Sequence, residues 1–231
     1  MNASHPRFPF PNCWSHKLNP LSLPFDPQPL SLSTEDICLK PLSLDDAEGF
    51  YHAGNHACLW QWVTPNRCQT LASAQDWIEE SLAMQRQGQH LPFVILDNPS
   101  QEIIGSTRYC ATRKADRIIE IGFTFITPKF QRTHVNTQAK YLLLQHAFER
   151  LGAVRVELKT HENNQQSRRA IGRIGGHFEG VLRNYRLLPD GSSRNTAMFS
   201  ITVQEWPRVK LELQAKMVPA RGQAEALQPL E

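Results

Sequence analysis

Glu120 is the residue whose type and position most directly suggest chemistry. It lies in the run Ile119-Glu120-Ile121-Gly122-Phe123, where apolar residues alternate with others as they do in a strand with one buried face. The two isoleucines, Phe123 and Phe125 are expected to share that apolar face, so Glu120 should point to the opposite one. A carboxylate there is suited to acid–base chemistry. A glutamate that merely faces solvent on a half-exposed strand is the alternative.

A second candidate site is the segment between Pro128 and Ala139, where this strand gives way to a helix. Unpaired backbone N–H groups and the positive end of the helix dipole converge at such a junction, and together they can bind an anion. Lys129 and Arg132 would add positive charge. An ordinary strand-to-helix loop that holds no ligand is the alternative.

Two further pairs of residues, one polar and one aromatic, are spaced so that they could contribute to a site. Asn164 and Ser167 open a predicted helix, where an asparagine followed by a serine in the first turn is already explained as an N-cap. Trp60 and Trp62 would share a side of an extended segment. They are either rigid walls of an acceptor pocket or residues of the core.

Several classes of site and protein are not expected. The nine histidines lack the spacing of a metal site, so no metal is predicted. Five widely spaced cysteines without a Cys-x-x-Cys pair favour a reducing, cytoplasmic setting. A net charge of +3 is too small to indicate a nucleic-acid partner, and no run approaches the ~18 apolar residues of a membrane span. Oligomeric state is left open.

The elements that would position these residues follow from the hydrophobic periodicity. Alternating runs predict seven strands, at residues 37–40, 91–96, 103–112, 117–126, 154–160, 181–188 and 195–203. Helical periodicity and end signals predict five helices. The first runs from residue 43 to the region 55–60, the third begins between residues 128 and 139 and ends at Gly152, and the others lie near residues 71–87, 164–174 and 205–216. Short connections between the strands at 91–126 indicate an antiparallel meander. The strand–helix–strand order over 117–160 indicates one parallel pair.

Length and proline content predict the domain organisation. The 231 residues fit one ordinary domain with extensions, and seven of the 16 prolines fall within the first thirty residues. We therefore expect a flexible proline-rich arm over residues 1–32 and a domain over residues 33–207. An extended strap laid over the domain is the alternative for the arm. Residues 208–231 are expected to be a helix end and a polar tail.

Four strings in the second half of the chain resemble the GNAT superfamily of acetyl-CoA-dependent N-acyltransferases. The likeness is greatest to the branch that includes the ribosomal-protein N-terminal acetyltransferases, and it covers residues 33–207. The strings are Ile119-Glu120-Ile121-Gly122-Phe123, Pro128-Lys129-Phe130-Gln131-Arg132-Thr133, Asn164-Gln165-Gln166-Ser167 and Gly175-Gly176-His177-Phe178-Glu179-Gly180. The resemblance implies an α/β (α+β) fold with one mixed, mostly antiparallel sheet of six to seven strands and helices on both faces.

The resemblance also implies a coenzyme site. The loop before the long helix would grip the pyrophosphate of coenzyme A, and Asn164 would bond its pantetheine arm. The implied cofactor contacts are Phe125, Ile126, Thr127, Gln131, Arg132, Thr133, His134, Val135, Asn136, Thr137 and Asn164. The family's usual pattern, Gln/Arg-x-x-Gly-x-Gly/Ala, has His134 and Asn136 at its glycine positions here. Larger side chains at these positions make close approach of backbone to phosphate harder.

The resemblance assigns two catalytic roles. Glu120 would be the general base, directly or through water, because an ammonium group must lose a proton before it attacks a thioester. Ser167 would lie near the thiolate leaving group and could donate a proton to it. A bulge between Phe123 and Ile126 would turn a backbone amide toward the thioester carbonyl as an oxyanion donor. Trp60 and Trp62 remain the candidate acceptor walls.

The function predicted on these grounds is N-acetyl transfer from acetyl-CoA, directly, to a primary amine. The acceptor would be a protein N-terminus or a small molecule, since the motifs do not distinguish them. The alternative is a non-catalytic acyl-CoA-binding or protein-interaction module on the same fold. The altered phosphate loop and the proline-rich arm are the features that favour this alternative.

Overall fold

The computed structural model describes residues 23–63, 65–188 and 190–217. Its eight strands are β1 (Leu32–Ser33), β2 (Ile37–Pro41), β3 (Leu91–Asp97), β4 (Ile103–Arg113), β5 (Ile118–Ile126), β6 (Arg155–His161), β7 (His177–Leu187) and β8 (Ser193–Thr202). Its α-helices in these residues are α1 (Ala47–Gly54), α2 (Leu71–Arg86), α3 (Val135–Glu149), α4 (Gln165–Arg173) and α5 (Trp206–Met217). Short 3-10 turns span Leu44–Asp46, Ala57–Leu59 and Pro128–Phe130.

All eight strands form one sheet in the order β1-β2-β3-β4-β5-β6-β8-β7. Only β5 and β6 are parallel, and every other neighbouring pair is antiparallel. The mixed, mostly antiparallel sheet with helices on both faces is therefore confirmed. The predicted count of six to seven strands was one too low, because the two-residue strand β1 is too short to give an alternating pattern.

Two apolar layers cover opposite faces of the sheet. Helix α3 packs on one face together with α5, which places Leu143 and Val209 in the larger core cluster. Helices α1 and α2 pack on the other face against β3, β4 and β5, around Phe50 and Ile78. Strand β7 lies at one edge of the sheet, and every residue of it is at least partly exposed.

The two ends of the described chain both pack on the domain. Phe25 is 9% exposed and belongs to the larger core cluster, and Lys114 Nζ lies 2.8 Å from an oxygen of Asp26. Residues 1–22 of the predicted arm lie outside the described residues. At the other end, α5 continues to Met217 with Val209 and Leu213 fully buried. No helix within the described ranges is long and apolar enough to cross a membrane.

Candidate active site

The site is built around the point where β5 and β6 separate. The two strands pair only from Ile118 opposite Arg155 to Glu120 opposite Glu157, although β5 continues to Ile126 and β6 to His161. Beyond Glu120 the facing backbone groups of the two strands no longer bond to each other. The separation leaves a gap whose walls offer N–H and C=O groups to an elongated ligand.

A β-bulge lies in β5 beside this gap. Ser106 pairs with Phe125 and Arg108 pairs with Gly122, so Phe123 and Thr124 together oppose the one residue between. Phe123 has a positive φ of 50°. The bulge falls in the predicted interval, from Phe123 to Ile126.

The bulge changes which face the following residues occupy. Ile119 and Ile121 lie in the α3 cluster as expected, but the ring of Phe125 packs 5.2 Å from Phe50 on the opposite face. Phe123 is 36% exposed. The expectation that Phe123 and Phe125 share a face with the two isoleucines was wrong, because the extra residue breaks the two-residue period of the strand.

Phe123 is stacked on a buried arginine. The Arg108 guanidinium carbon lies 4.6 Å from the centre of the Phe123 ring and 4.8 Å from that of Trp77. Arg108 donates to Ser81 Oγ at 2.9 Å and lies 3.1 Å from His90 Nδ1. It is 1% exposed, and burial lowers the pKa of Arg108 to about 10. Sequence reasoning missed this residue, which sits inside an ordinary apolar strand pattern.

Glu120 points away from the α3 core, as its place in the alternation predicts. Its Oε2 accepts a hydrogen bond from Lys159 Nζ at 2.8 Å, while Oε1 has no hydrogen-bond partner within residues 23–63, 65–188 and 190–217. Lys159 Nζ also lies 3.3 Å from Glu157. Burial alone would lower the pKa of Lys159, but Glu120, Tyr185 and Glu157 raise it above its ordinary value. The Glu120 carboxylate therefore has one oxygen held by a cation and one available to a substrate.

Further charged side chains extend this ion pair from β4 across β6 to β7. Glu157 accepts from Arg113 at 2.8 Å and from Arg155 at 3.1 Å. Arg155 in turn donates both of its terminal nitrogens to Glu179, each at 2.6 Å. The three carboxylates on this surface are thus each matched by a cation.

The loop before α3 has the free donors that an anion site needs. Among the residues that the structure describes, no acceptor is found for the backbone N–H groups of Arg132, Thr133, His134, Asn136 and Thr137. The positive φ in this loop, 62°, belongs to Arg132. His134 has an ordinary φ of −66°, and Asn136 is already helical. The turn therefore forms without glycine at either family position, and what the larger side chains there affect is the space available to a ligand.

Side-chain contacts hold this loop in place beside the gap. Gln131 donates to the carbonyl of Ile126 at 3.0 Å, and Gln166 of α4 donates to Gln131 at 3.1 Å. Thr133 donates to the carbonyl of Phe130 at 2.7 Å and accepts from the N–H of Val135. Thr127, at the end of β5, lies 3.1 Å from His56 Nε2. The predicted cofactor contacts from residues 125 to 137 therefore form one continuous segment along β5 and the start of α3.

Asn164 and Ser167 lie where β6 leads into α4. The Asn164 side chain accepts from the N–H of Ser167 at 2.9 Å, which is an N-cap. The Ser167 hydroxyl has no hydrogen-bond partner in the described part of the chain, and the side chain is partly exposed. The cap uses the backbone of Ser167 and leaves its hydroxyl available.

The two tryptophans occupy different environments. Trp60 is 9% exposed, donates to the carbonyl of Gly54 at 2.8 Å and stacks near Phe125 in the core. Trp62 instead lies with its ring 4.7 Å from that of His161, at the end of β6. The segment is not extended as expected, because a 3-10 turn at Ala57–Leu59 precedes the pair. Of the two tryptophans, only Trp62 lies beside the end of β6.

A buried lysine lies beneath the bulge and was also missed from the sequence. Lys140 of α3 is 5% exposed and donates to Thr124 Oγ1 at 2.5 Å and to Thr107 Oγ1 at 3.3 Å. Burial lowers the pKa of Lys140 from 10.5 to about 7. Its position in a strongly periodic helix marks it as core-facing, which is the one sequence signal that could have identified it.

Comparisons with known proteins agree with this geometry. Residues 36–177 match a family model described as "Acetyltransferase (GNAT) domain". The "Uncharacterized N-acetyltransferase YoaA" of Bacillus subtilis (strain 168) is 23% identical over 170 residues, which are 74% of this chain and 95% of that protein. A GCN5-related N-acetyltransferase from Brucella melitensis superposes with a TM-score of 0.79 at 27% identity, covering 86% of this chain and 90% of that one.

A third likeness is one of fold alone. Mycobacterium smegmatis RimJ, whose structure is a complex with CoA-disulfide, superposes with a TM-score of 0.67 at 24% identity. The match covers 81% of this chain and 92% of RimJ.

Among the residues that the structure describes, no group of three or more His, Cys, Asp and Glu residues could hold a metal ion.

Proposed function

We propose that this chain, which belongs to the GNAT acetyltransferase family, transfers an acetyl group from acetyl-CoA directly to a primary amine. The observation that carries the proposal is the β5–β6 gap. It has the free amides of the loop from Arg132 to Thr137 near one end and the free oxygen of Glu120 near the other. This arrangement suits an anion joined by an extended arm to a group that reacts with an amine.

The residues present fit a coenzyme of this kind. Five unpaired N–H groups at the start of α3 can donate to a pyrophosphate, and Arg132 adds a positive charge. The edge of β5 from Ile121 to Ile126, which lacks a strand partner on the β6 side, can bond to the amides of a pantetheine arm. RimJ, which shares the fold, is in complex with CoA-disulfide, and this supports a coenzyme A ligand by analogy.

The chemistry then falls to a few side chains beside the bulge. Glu120 accepts a proton from the ammonium, directly or through water, and the amine nitrogen forms a bond to the thioester carbonyl carbon. A backbone amide at the bulge stabilises the negative charge on the carbonyl oxygen. The carbon–sulfur bond breaks as the hydroxyl of Ser167 gives a proton to the departing sulfur, and the second proton lost by the former amine nitrogen returns to the Ser167 oxygen, so the amide and the free thiol are both neutral. No covalent enzyme intermediate is required, so positioning and deprotonation are the main tasks.

Two measurements on the purified chain test the proposal in sequence. A thermal-shift titration with acetyl-CoA and with CoA reports whether the loop binds the coenzyme. Release of free thiol over a panel of primary amines then reports transfer. We expect a concentration-dependent stabilisation by both ligands and thiol release that depends on amine. Coenzyme binding without amine-dependent thiol release would favour the non-catalytic acyl-CoA-binding alternative, and no binding at all would contradict both.

A further inference from the structure

Two arginines face each other beside the proposed amine site. Arg186 of β7 and Arg194 of β8 are register partners, so their side chains share a face of the sheet. Thr196 pairs with His161 of β6, and Arg194 lies two residues from Thr196 on the same strand. The arginines therefore lie on the face that carries His161, Lys159 and Glu120. They also lie toward the end of β6 at which the gap opens.

This pair is an excess of positive charge, with Arg194 partly buried and Arg186 exposed. The carboxylates of Glu120, Glu157 and Glu179 are already bonded to Lys159, Arg113 and Arg155. Within the described residues, neither Arg186 nor Arg194 forms an ion pair, and the hydrogen bonds of Arg194 are weak ones to Thr196 Oγ1 at 3.2 and 3.4 Å. Like charges directly opposite each other on neighbouring strands destabilise a sheet.

Arg194 interacts electrostatically with several of these side chains, in keeping with its place in the strand register. Burial and then Arg186 lower the pKa of Arg194, while Glu120 and Tyr185 oppose this. Burial and then Arg194 lower the pKa of His161 as well. His161 Nδ1 accepts a hydrogen bond from the N–H of Asn163 at 3.1 Å. A histidine ring carries no negative charge at ordinary pH, so His161 does not neutralise Arg194.

Aromatic rings line the surface between Glu120 and the arginines. The Trp62 and His161 rings lie at a tilt with centres 4.7 Å apart, and Lys159 Nζ lies 5.3 Å from the centre of the Tyr185 ring. Arg194 is itself partly buried, which limits access of water to its guanidinium. An anion bound there would be held more strongly than at an open surface.

We propose that the amine acceptor carries its own anionic group, a carboxylate or a phosphate, and that Arg194 and Arg186 bind it. The inference rests on the proposed acetyl transfer and names the class of its acceptor. The planar guanidinium donates two parallel hydrogen bonds to either anion. The free oxygen of Glu120 attracts the ammonium end of the same molecule. The two charges thus orient a zwitterion across the site, with its nitrogen toward the bulge.

Matched acceptors test this directly. Thiol release is measured with α-amino acids against their amides, and with O-phosphoethanolamine against ethanolamine, at fixed acetyl-CoA. We expect kcat/KM to be at least ~10-fold higher for the anionic member of each productive pair, as for a charge-assisted hydrogen bond. The two arms distinguish a carboxylate acceptor from a phosphate acceptor. Equal or better rates with the neutral members would overturn the inference.

Arginine variants add a readout tied to these residues. Arg194→Gln and Arg186→Gln should each raise KM for the anionic acceptor by at least ~10-fold and reduce its advantage over the neutral partner, while KM for acetyl-CoA does not change. Their melting temperatures should be equal to or above that of the wild type, because one of two facing cations is removed. Arg208→Gln, which changes an exposed arginine side chain of α5 on the other face of the sheet, is the matched control. An unchanged acceptor KM in both site variants contradicts the inference.

Failure of the proposed function gives a different pattern. If the wild type releases no thiol with any amine, the proposed acetyl transfer is wrong, and equilibrium binding then tests the arginine site separately. Calorimetric titration with glutamate and with O-phosphoethanolamine in the presence of CoA should then show binding that Arg194→Gln loses. Absence of binding to the wild type, or equal binding to the variant, would overturn the site.

Discussion

At the scale of single residues, the contacts of Glu120 are consistent with its proposed role as the general base. Lys159 holds Oε2 and keeps the carboxylate fixed in direction, while Oε1 has no hydrogen-bond partner among the described residues. The same cation also contacts Glu157, so the position of Glu120 is tied to a wider ion-pair network on β6. A fixed carboxylate loses little conformational freedom when it meets a substrate, which favours a defined attack geometry.

Lys140 allows a prediction about pH. Its pKa is lowered from 10.5 to about 7 by burial, so between these values the unfolded chain holds a proton that the folded chain has released. The stability of the folded state therefore rises with pH across this window and is lost as pH falls toward 7. Lys140→Met should flatten the pH dependence of the free energy of unfolding by about 2 kcal/mol between about pH 7 and about pH 9.

Chemical denaturation of wild type and variant at each pH measures this difference. The variant cancels the contributions of all other titrating groups, which the two proteins share. Parallel stability curves for the two proteins would show that Lys140 is charged in the folded state at neutral pH.

At the scale of elements, the start of α4 has one residue that caps the helix, Asn164, and one with a proposed catalytic role, Ser167. Asn164 caps the helix through the backbone N–H of Ser167, so the Ser167 hydroxyl is not needed for the fold. We expect Ser167→Ala to lower kcat by about 10-fold to 100-fold at an unchanged melting temperature, because the leaving thiolate loses its proton donor. Asn164→Ala should instead cost about 1 kcal/mol of stability.

The pair of variants distinguishes the two roles of this helix end. Steady-state rates and thermal unfolding are measured on both proteins. A Ser167→Ala enzyme with full kcat would remove Ser167 from the mechanism, and one with a lowered melting temperature would assign it to the cap.

At the scale of the whole molecule, the residues before β1 form a strap rather than a free end from residue 23 onward. Phe25 enters the main core, Asp26 pairs with Lys114, and Arg117 donates to the carbonyl of Leu23 at 2.9 Å. Removal of residues 1–30 should lower the free energy of unfolding by about 3 kcal/mol, since it exposes the site of a buried phenylalanine. For a chain of this length the melting temperature falls by roughly 10 °C.

Removal of residues 1–22 alone is the matched control. We propose that the coenzyme site lies wholly beyond residue 33, so acetyl-CoA should stabilise both truncated proteins in a thermal-shift titration. Equal melting temperatures for the two truncations would contradict the role of Phe25, and loss of coenzyme binding would place part of the site in the removed segment.

Sequence periodicity predicted the elements better than it predicted the contacts between them. The apolar spacing of α3 and the strand–helix–strand order gave the parallel pair, and the alternation through Ile121 gave the direction of Glu120. The stacking of Phe123 on Arg108 and the hydrogen bonds of Lys140 to Thr124 and Thr107 join residues 15 or more positions apart in sequence. A local pattern carries no information about such partners, nor about the bulge that reverses the face of Phe125.

The most direct test of the central claim is amine-dependent thiol release by the wild type and by Glu120→Gln over a pH series, with the acetylated amine identified by mass spectrometry. Glutamine keeps the shape of the side chain but cannot take the proton. We expect the wild type to form the amide in step with thiol release, and the variant to turn over ~10²-fold to 10⁴-fold more slowly at unchanged coenzyme binding. Glu212→Gln on α5 should match the wild type. Equal turnover by Glu120→Gln across the pH series would contradict the assignment of Glu120 as the base.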